Sequence, residues 1–99
     1  MRLPHWINGK PTDPASGRWR QVFDPARAEP YAELADGDAT DVDAAVAAAA
    51  AAFPAWSALP NEDRARWLER LAAALEERLD DFAHAEARDG GKPIRLARD

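Results

Sequence analysis

The chain contains no cysteine among its 99 residues, so it can form no disulfide and offers no thiol nucleophile. It also lacks an excess of basic residues, because 13 Lys and Arg stand against 18 Asp and Glu, a formal net charge of −5. The two signs are interspersed, so no basic patch of the kind that nucleic-acid-binding proteins carry is expected. No apolar run approaches the length of a membrane span, and the first residues do not open a signal peptide. We therefore expect a cytoplasmic protein with no nucleic-acid partner and no membrane partner.

Large apolar side chains are scarce as well. The hydrophobic fraction is 46%, but 24 of the residues are alanine. Burial of apolar surface contributes roughly 25 cal/mol per Å², and alanine has little surface to bury. The length suffices for one small domain and not for two. We expect a weak core that depends on contacts outside this chain.

Residues 1–37 are predicted to form short strands and turns. Asn8 and Gly9 form a strong hairpin-turn dipeptide, whereas residues 11–17 have the composition of a loop. The candidate strands are the runs 5–7, 18–23 and 30–35.

A capped helix is predicted over residues 40–53. Thr40 is the expected N-cap, with Asp43 at the third position of a capping box, and Pro54 is expected to stop the helix at Phe53. One face carries an apolar stripe: Val42, Val46, Ala49 and Phe53.

Residues 61–89 are predicted to be a second helical region, with a break near Asp80 and Asp81. Its C-terminal cap is expected at Gly90 and Gly91, and residues 94–99 should begin a further helix. Its apolar stripe is Leu68, Leu71, Leu75, Leu79 and Phe82. Because the last helix is only begun and the short strands leave open sheet edges, we expect a truncated sequence.

Five segments resemble, in order, the opening of the aldehyde dehydrogenase superfamily. Residues 41–46 with 52–56 are the most specific, since they match a D-V-D-x-A-V … A-A-F-x-x-W pattern. The other four segments are 6–10, 22–25, 64–68 and 89–93. Residues 82–89 followed by 96–98 are similar to dehydrogenases acting on muconic semialdehydes.

This resemblance implies an α/β fold in which residues 1–99 are the N-terminal, incomplete part of the NAD(P)-binding domain of an aldehyde dehydrogenase. The family oxidises an aldehyde to an acid with NAD or NADP, using a cysteine nucleophile and a glutamate that activates water. Those groups and the cofactor contacts lie downstream, so no catalytic, cofactor-binding or metal residue is assigned here. The implied partners are an aldehyde substrate and the missing C-terminal remainder, in a full-length homo-oligomer. A backbone carbonyl near Val22 is a minor candidate for binding a monovalent cation.

Other site interpretations are weaker. Gly91-Lys92 lacks the earlier Gly and the following Ser or Thr of a phosphate loop, so a helix cap is expected. His5 and His84 have no metal-ligand spacing and are expected at the surface or in capping roles. The acidic pairs 76–77 and 80–81 are expected to be solvated, and the four tryptophans to be buried, either within this chain or against the absent remainder.

Two alternatives to an enzyme fragment remain at this point. The chain could be an inactive remnant of a disrupted gene, or a small α+β interaction module. A module should unfold cooperatively, whereas a remnant with open strand edges should aggregate or be partly molten.

Overall fold

The computed structural model describes residues 1–99 and contains five short strands and four helices, which confirms the α/β class. The strands are β1 (Arg2–Leu3), β2 (His5–Ile7), β3 (Lys10–Thr12), β4 (Trp19–Asp24) and β5 (Glu29–Ala35). The helices are α1 (Ala39–Ala58), α2 (Asn61–Glu77), α3 (Leu79–Gly90) and α4 (Ile94–Ala97). Contacts divide the chain into two compact units, Met1–Val22 with Pro30–Ala58, and Phe23–Glu29 with Leu59–Asp99.

The strands form two small sheets. One has the order β1-β5-β4, in which β1 pairs in parallel with β5. The other is the antiparallel hairpin of β2 and β3, whose turn residues Asn8 and Gly9 have φ of 55° and 75°. Two positive φ values are what a tight hairpin turn requires, which explains the Asn-Gly dipeptide.

Two strands were not predicted from the sequence. β1 is only two residues long, and β3 contains Pro11, which pairs with Trp6 inside a region predicted to be loop. Proline has no N–H for a ladder, but an edge strand of a two-stranded hairpin has an unpaired side on which this donor is not needed. The loop-like composition of residues 11–17 therefore gave no indication of β3, which extends to Thr12.

The capping box of α1 lies two residues earlier than predicted. Asp38, not Thr40, is the N-cap, because its Oδ1 accepts the N–H groups of Thr40 at 3.0 Å and Asp41 at 3.3 Å. Asp41 accepts the Asp38 N–H in return, at 3.1 Å. Two carboxylates thus satisfy three N–H groups at the start of the helix, and both lie where its dipole favours negative charge.

Because Asp38 is the N-cap, substitutions at Asp38 and Thr40 should have different effects on stability. Asp38→Ala should destabilise the chain by about 1 kcal/mol, because two helix N–H groups lose their acceptor. Thr40→Ala should be neutral or slightly stabilising, since alanine has the higher helix propensity. Urea unfolding of both variants measures the difference. An equal loss at the two positions would contradict the assignment of the cap.

The predicted end of α1 is also wrong, because the helix passes through Pro54 and ends at Ala58. Proline removes its own N–H from the ladder and crowds the carbonyl one turn before it, although its φ is already helical. The following residues can still donate to the preceding turn, where helix-forming alanines are concentrated. Ser57 Oγ donates to the carbonyl oxygen of Pro54 at 3.2 Å and adds a local bond after the proline.

The second unit confirms the predicted interrupted helix. α2 and α3 are separated at Arg78, two residues before the predicted break. α3 ends at Gly90, and its C-cap is Gly91, which has a left-handed φ of 74° and donates its N–H to the carbonyl oxygen of Ala87 at 2.9 Å. The glycine cap is therefore confirmed. The further helix is confirmed as a single turn, α4.

The interior is built from alanine. The buried apolar residues are Ala32, Ala35 and Ala83, and no large side chain is fully buried. The stripes predicted on α1 and α2 remain exposed, so the helices place their largest apolar side chains outside the core. None of the helices combines the length and the apolarity that crossing a membrane would need.

Candidate functional site

Asp41 is the buried charged residue of the first unit, since it is only 7% exposed. Its Oδ1 accepts the N–H of Ala15 at 3.0 Å, a bond between positions 26 residues apart. Its Oδ2 accepts the Asp38 N–H and lies 3.3 Å from Nε2 of His5. Asp41 therefore joins the start of α1 to a loop and to β2.

His5 lies beside this carboxylate with its side chain about three-quarters buried. Its Nε2 is not aligned to hydrogen-bond Asp41 and has no other hydrogen-bond partner. The contact is therefore electrostatic and depends on the protonation of the ring. His5 was predicted to be a surface or capping residue, and it lies against a capping carboxylate.

The surroundings of Asp41 hold its pKa below the ordinary value of 3.8. The largest cause is the hydrogen bond from the Ala15 N–H, and the Asp38 N–H and His5 act in the same direction. Burial opposes them, since desolvation disfavours the charged form. Donors aimed at the carboxylate outweigh its burial, so Asp41 is ionised at neutral pH.

A pH dependence follows from this direction. Because the folded state lowers the pKa of Asp41, its ionisation stabilises the fold above the pKa of the unfolded chain. That contribution is lost as the pH falls through the lower, folded value. The difference in melting temperature between wild type and Asp41→Asn should therefore shrink as the pH falls below about 4. Asp43→Asn, at an exposed position two residues further along the same helix, is the matched control for the loss of one acidic side chain. A gap that persists unchanged at pH 3 would contradict the assignment.

A surface cavity of about 310 Å³ adjoins this carboxylate. Its lining residues are His5, Trp6, Ile7, Gly37, Asp41, Val42 and Ala45. Both oxygens of Asp41 already accept hydrogen bonds from the backbone. The carboxylate therefore has a structural role in the chain as described.

The candidate residues in the second unit have structural or solvated environments. Gly91 forms the cap of α3, so Gly91-Lys92 is not a phosphate loop. Nδ1 of exposed His84 lies 2.8 Å from the carbonyl oxygen of Asp80. The Asp80 and Asp81 carboxylates are exposed and pair with Arg98 and Arg78. No group of three or more His, Cys, Asp or Glu is placed to hold a metal ion. Val22 lies within β4, and a cation at its carbonyl stays a prediction.

Three of the four tryptophans are not buried within this chain, so for them burial against the remainder stays a prediction. Trp6 is 72% exposed, and Trp56 and Trp67 are also exposed. Trp19 is half-buried, and the guanidinium of Arg2 lies 4.6 Å from its ring centroid. Trp67 carries a similar stacking partner, Arg70, at 4.5 Å. Each of these two indole rings therefore has a guanidinium group over its face.

Comparison with known proteins agrees with this fold. Residues 12–99 match the model of the aldehyde dehydrogenase family. A fluoroacetaldehyde dehydrogenase from Streptantibioticus cattleyicolor is 43% identical over 97% of this chain, which corresponds to 19% of the relative. A 2-aminomuconic semialdehyde dehydrogenase from Danio rerio is 47% identical over 77% of this chain and 16% of the relative.

Solved structures give the same result. PnpE from Pseudomonas sp. WBC-3 superposes on 99% of this chain with a TM-score of 0.95 and 40% identity, using 20% of its own length. An NAD-dependent aldehyde dehydrogenase from Sinorhizobium meliloti superposes on 99% with a TM-score of 0.93 and 33% identity, again over 20% of its length.

The chain belongs to the aldehyde dehydrogenase family. It spans about one fifth of the length of the relatives it matches and corresponds to their N-terminal part. The resemblance found in the sequence is thereby confirmed, including the presence of muconic semialdehyde dehydrogenases among the relatives.

Proposed function

We propose that this chain is the N-terminal part of an NAD(P)-dependent aldehyde dehydrogenase that oxidises an aldehyde to a carboxylic acid. The match of residues 12–99 to the family model carries this proposal. A structural relative in complex with nicotinamide adenine dinucleotide, at 40% identity, supports a nicotinamide cofactor, either NAD or NADP. The cysteine nucleophile of such chemistry cannot come from residues 1–99, which contain no cysteine. The catalytic and cofactor-binding residues then belong to the rest of the protein.

The substrate class we propose is a semialdehyde. Relatives from Danio rerio and Bos taurus are 2-aminomuconic semialdehyde dehydrogenases, at 47% and 39% identity. A relative from Escherichia coli, at 37% identity, is a 5-carboxymethyl-2-hydroxymuconate semialdehyde dehydrogenase. The substrates named for these three relatives are all semialdehydes, a class of molecule with an aldehyde group and a carboxyl group.

The role proposed for this chain is structural, as the first part of the NAD(P)-binding domain. Its two exposed apolar stripes fit this role, because a stable surface rarely leaves so many large apolar side chains in water. We propose that the remainder of the polypeptide covers them, in a cytoplasmic homo-oligomer. An independent interaction module is not favoured, because no large side chain is fully buried.

The test is an assay of NAD and NADP reduction, followed at 340 nm, with semialdehyde and simple aldehyde substrates. The purified 99-residue chain is expected to give no aldehyde-dependent reduction, and the longer native polypeptide to give saturable reduction. An antibody against residues 61–78 identifies that polypeptide in its source cells by its mass. Saturable reduction by the 99-residue chain would overturn the assignment of catalysis to the remainder. A native product of only 10.8 kDa would overturn the dehydrogenase proposal itself.

A further inference from the structure

Gly37 lies at the point where β2 and the start of α1 meet. A Cβ atom added to it would lie 3.0 Å from Cε1 and 3.3 Å from Nε2 of His5. It would also lie 3.7 Å from Oδ2 of Asp41. The imidazole ring therefore occupies the space that a side chain at position 37 would need.

The backbone at Gly37 does not itself require glycine. The glycines with positive φ are Gly9, Gly17 and Gly91, so Gly37 has a conformation open to other residues. Space, and not backbone conformation, therefore favours glycine at position 37, because a Cβ there would force the His5 ring to shift by a few tenths of an ångström.

We propose that His5, Gly37 and Asp41 form a latch that fastens the β2–β3 hairpin to the N-terminus of α1. The ring of His5 is held between the Gly37 backbone and the Asp41 carboxylate. The same carboxylate binds the N–H of Ala15, so the loop after β3 is fastened to the same point. His5 on β2 is the titratable side chain facing Asp41, while Ala15 and Asp38 present backbone N–H groups.

The latch makes two local opening events depend on each other. Release of the hairpin removes His5 from Asp41, and fraying of the first turn of α1 removes Asp41 from His5 and Ala15. Segments joined through a shared side chain open together, whereas independent segments open separately. Hydrogen exchange of residues 5–12 and 38–42 should therefore change together.

A double-mutant cycle at His5 and Gly37 tests the latch. Hydrogen–deuterium exchange by mass spectrometry is measured on the expressed polypeptide that carries this sequence, for wild type, Gly37→Ala, His5→Ala and the double variant. In the wild-type background, Gly37→Ala should accelerate exchange about tenfold in residues 5–12 and in residues 38–42, because the new methyl group displaces the imidazole ring of His5. In the His5→Ala background the same substitution should change exchange less than about twofold. Equal acceleration in both backgrounds, or acceleration confined to one segment, would overturn the proposal.

Two further variants keep the test decisive. Asp41→Asn should accelerate exchange at Ala15 and in residues 5–12, whereas Asp43→Asn, exposed on the same helix turn, should leave both unchanged. Peptides from residues 61–90 report whether each variant is folded. If His5→Ala loses protection there, His5→Gln replaces it, since glutamine keeps a polar side chain of similar length. Unchanged exchange at residues 5–12 in Asp41→Asn would also overturn the latch.

Discussion

Leu71→Ala is expected to cost roughly 2–5 kcal/mol in the longer polypeptide proposed above and less than about 1 kcal/mol in the 99-residue chain. Leu71 lies on the α2 stripe and is 56% exposed in this chain. Truncating an exposed leucine leaves no cavity, so only part of its transfer free energy is lost. If the remainder of the protein covers the stripe, the same truncation opens a cavity there. The difference between the two polypeptides thus measures burial that this chain alone does not provide.

Urea unfolding of both polypeptides, with and without Leu71→Ala, measures this difference. Glu69→Ala is the matched control, because Glu69 is exposed on the same helix and should cost under about 0.5 kcal/mol in either context. If the 99-residue chain aggregates, Leu71→Gln should reduce that aggregation by removing apolar surface. A cost for Leu71→Ala that is the same in both polypeptides would contradict coverage of the α2 stripe.

Periodicity and turn chemistry predicted most of the elements. The Asn8-Gly9 hairpin, the interruption of the second helical region and the Gly91 cap all depend on residues within a few positions, and all were found. The start of α1 was displaced because Asp38 and Thr40 are both good N-cap residues. In the structure, Oδ1 of Asp38 accepts hydrogen bonds from two helix N–H groups. The sequence alone does not show which of the two candidate residues makes these hydrogen bonds.

Features that depend on distant contacts were not predictable in the same way. The bond from Ala15 to Asp41 joins positions 26 residues apart, and the position of His5 against Gly37 follows from the docking of the hairpin. Exposure of the stripes agrees with the expected dependence on contacts outside this chain, but the sequence left open where the tryptophans would be buried. Periodicity shows which face of a helix is apolar, but not whether its partner is in the same chain.

The alanine-rich core connects these observations. Ala83 is 2% exposed, yet the leucines and phenylalanine on the same helical region remain in water. Alanine allows close approach of backbones while contributing little buried area. Hydrogen bonds of the two small sheets, the caps and the Asp41 contacts thus accompany little apolar burial, and the large apolar side chains remain exposed. Exposed apolar side chains of this kind are expected in a segment that spans about one fifth of the length of its relatives.

The adjacent glycines at the end of α3 should respond in opposite ways to substitution by alanine. Gly91→Ala should destabilise the chain by roughly 1–3 kcal/mol, because a left-handed φ costs a residue with a Cβ about 1–2 kcal/mol. The new Cβ would also lie 3.2 Å from Cγ of Pro25, whose ring cannot turn away freely. Gly90→Ala should act in the opposite direction, by up to about 1 kcal/mol. Gly90 is helical, and a Cβ there would meet no atom within 4 Å.

Thermal and urea unfolding of the two single variants give the sign directly. Pro25→Ala combined with Gly91→Ala separates the two causes, because it removes the steric contact and leaves the left-handed φ. Part of the loss should then be recovered, relative to Pro25→Ala alone. Complete recovery would assign the whole effect to Pro25, and no recovery would assign it to the backbone. If both glycine substitutions shifted stability in the same direction, Gly91 would not be the residue that ends α3.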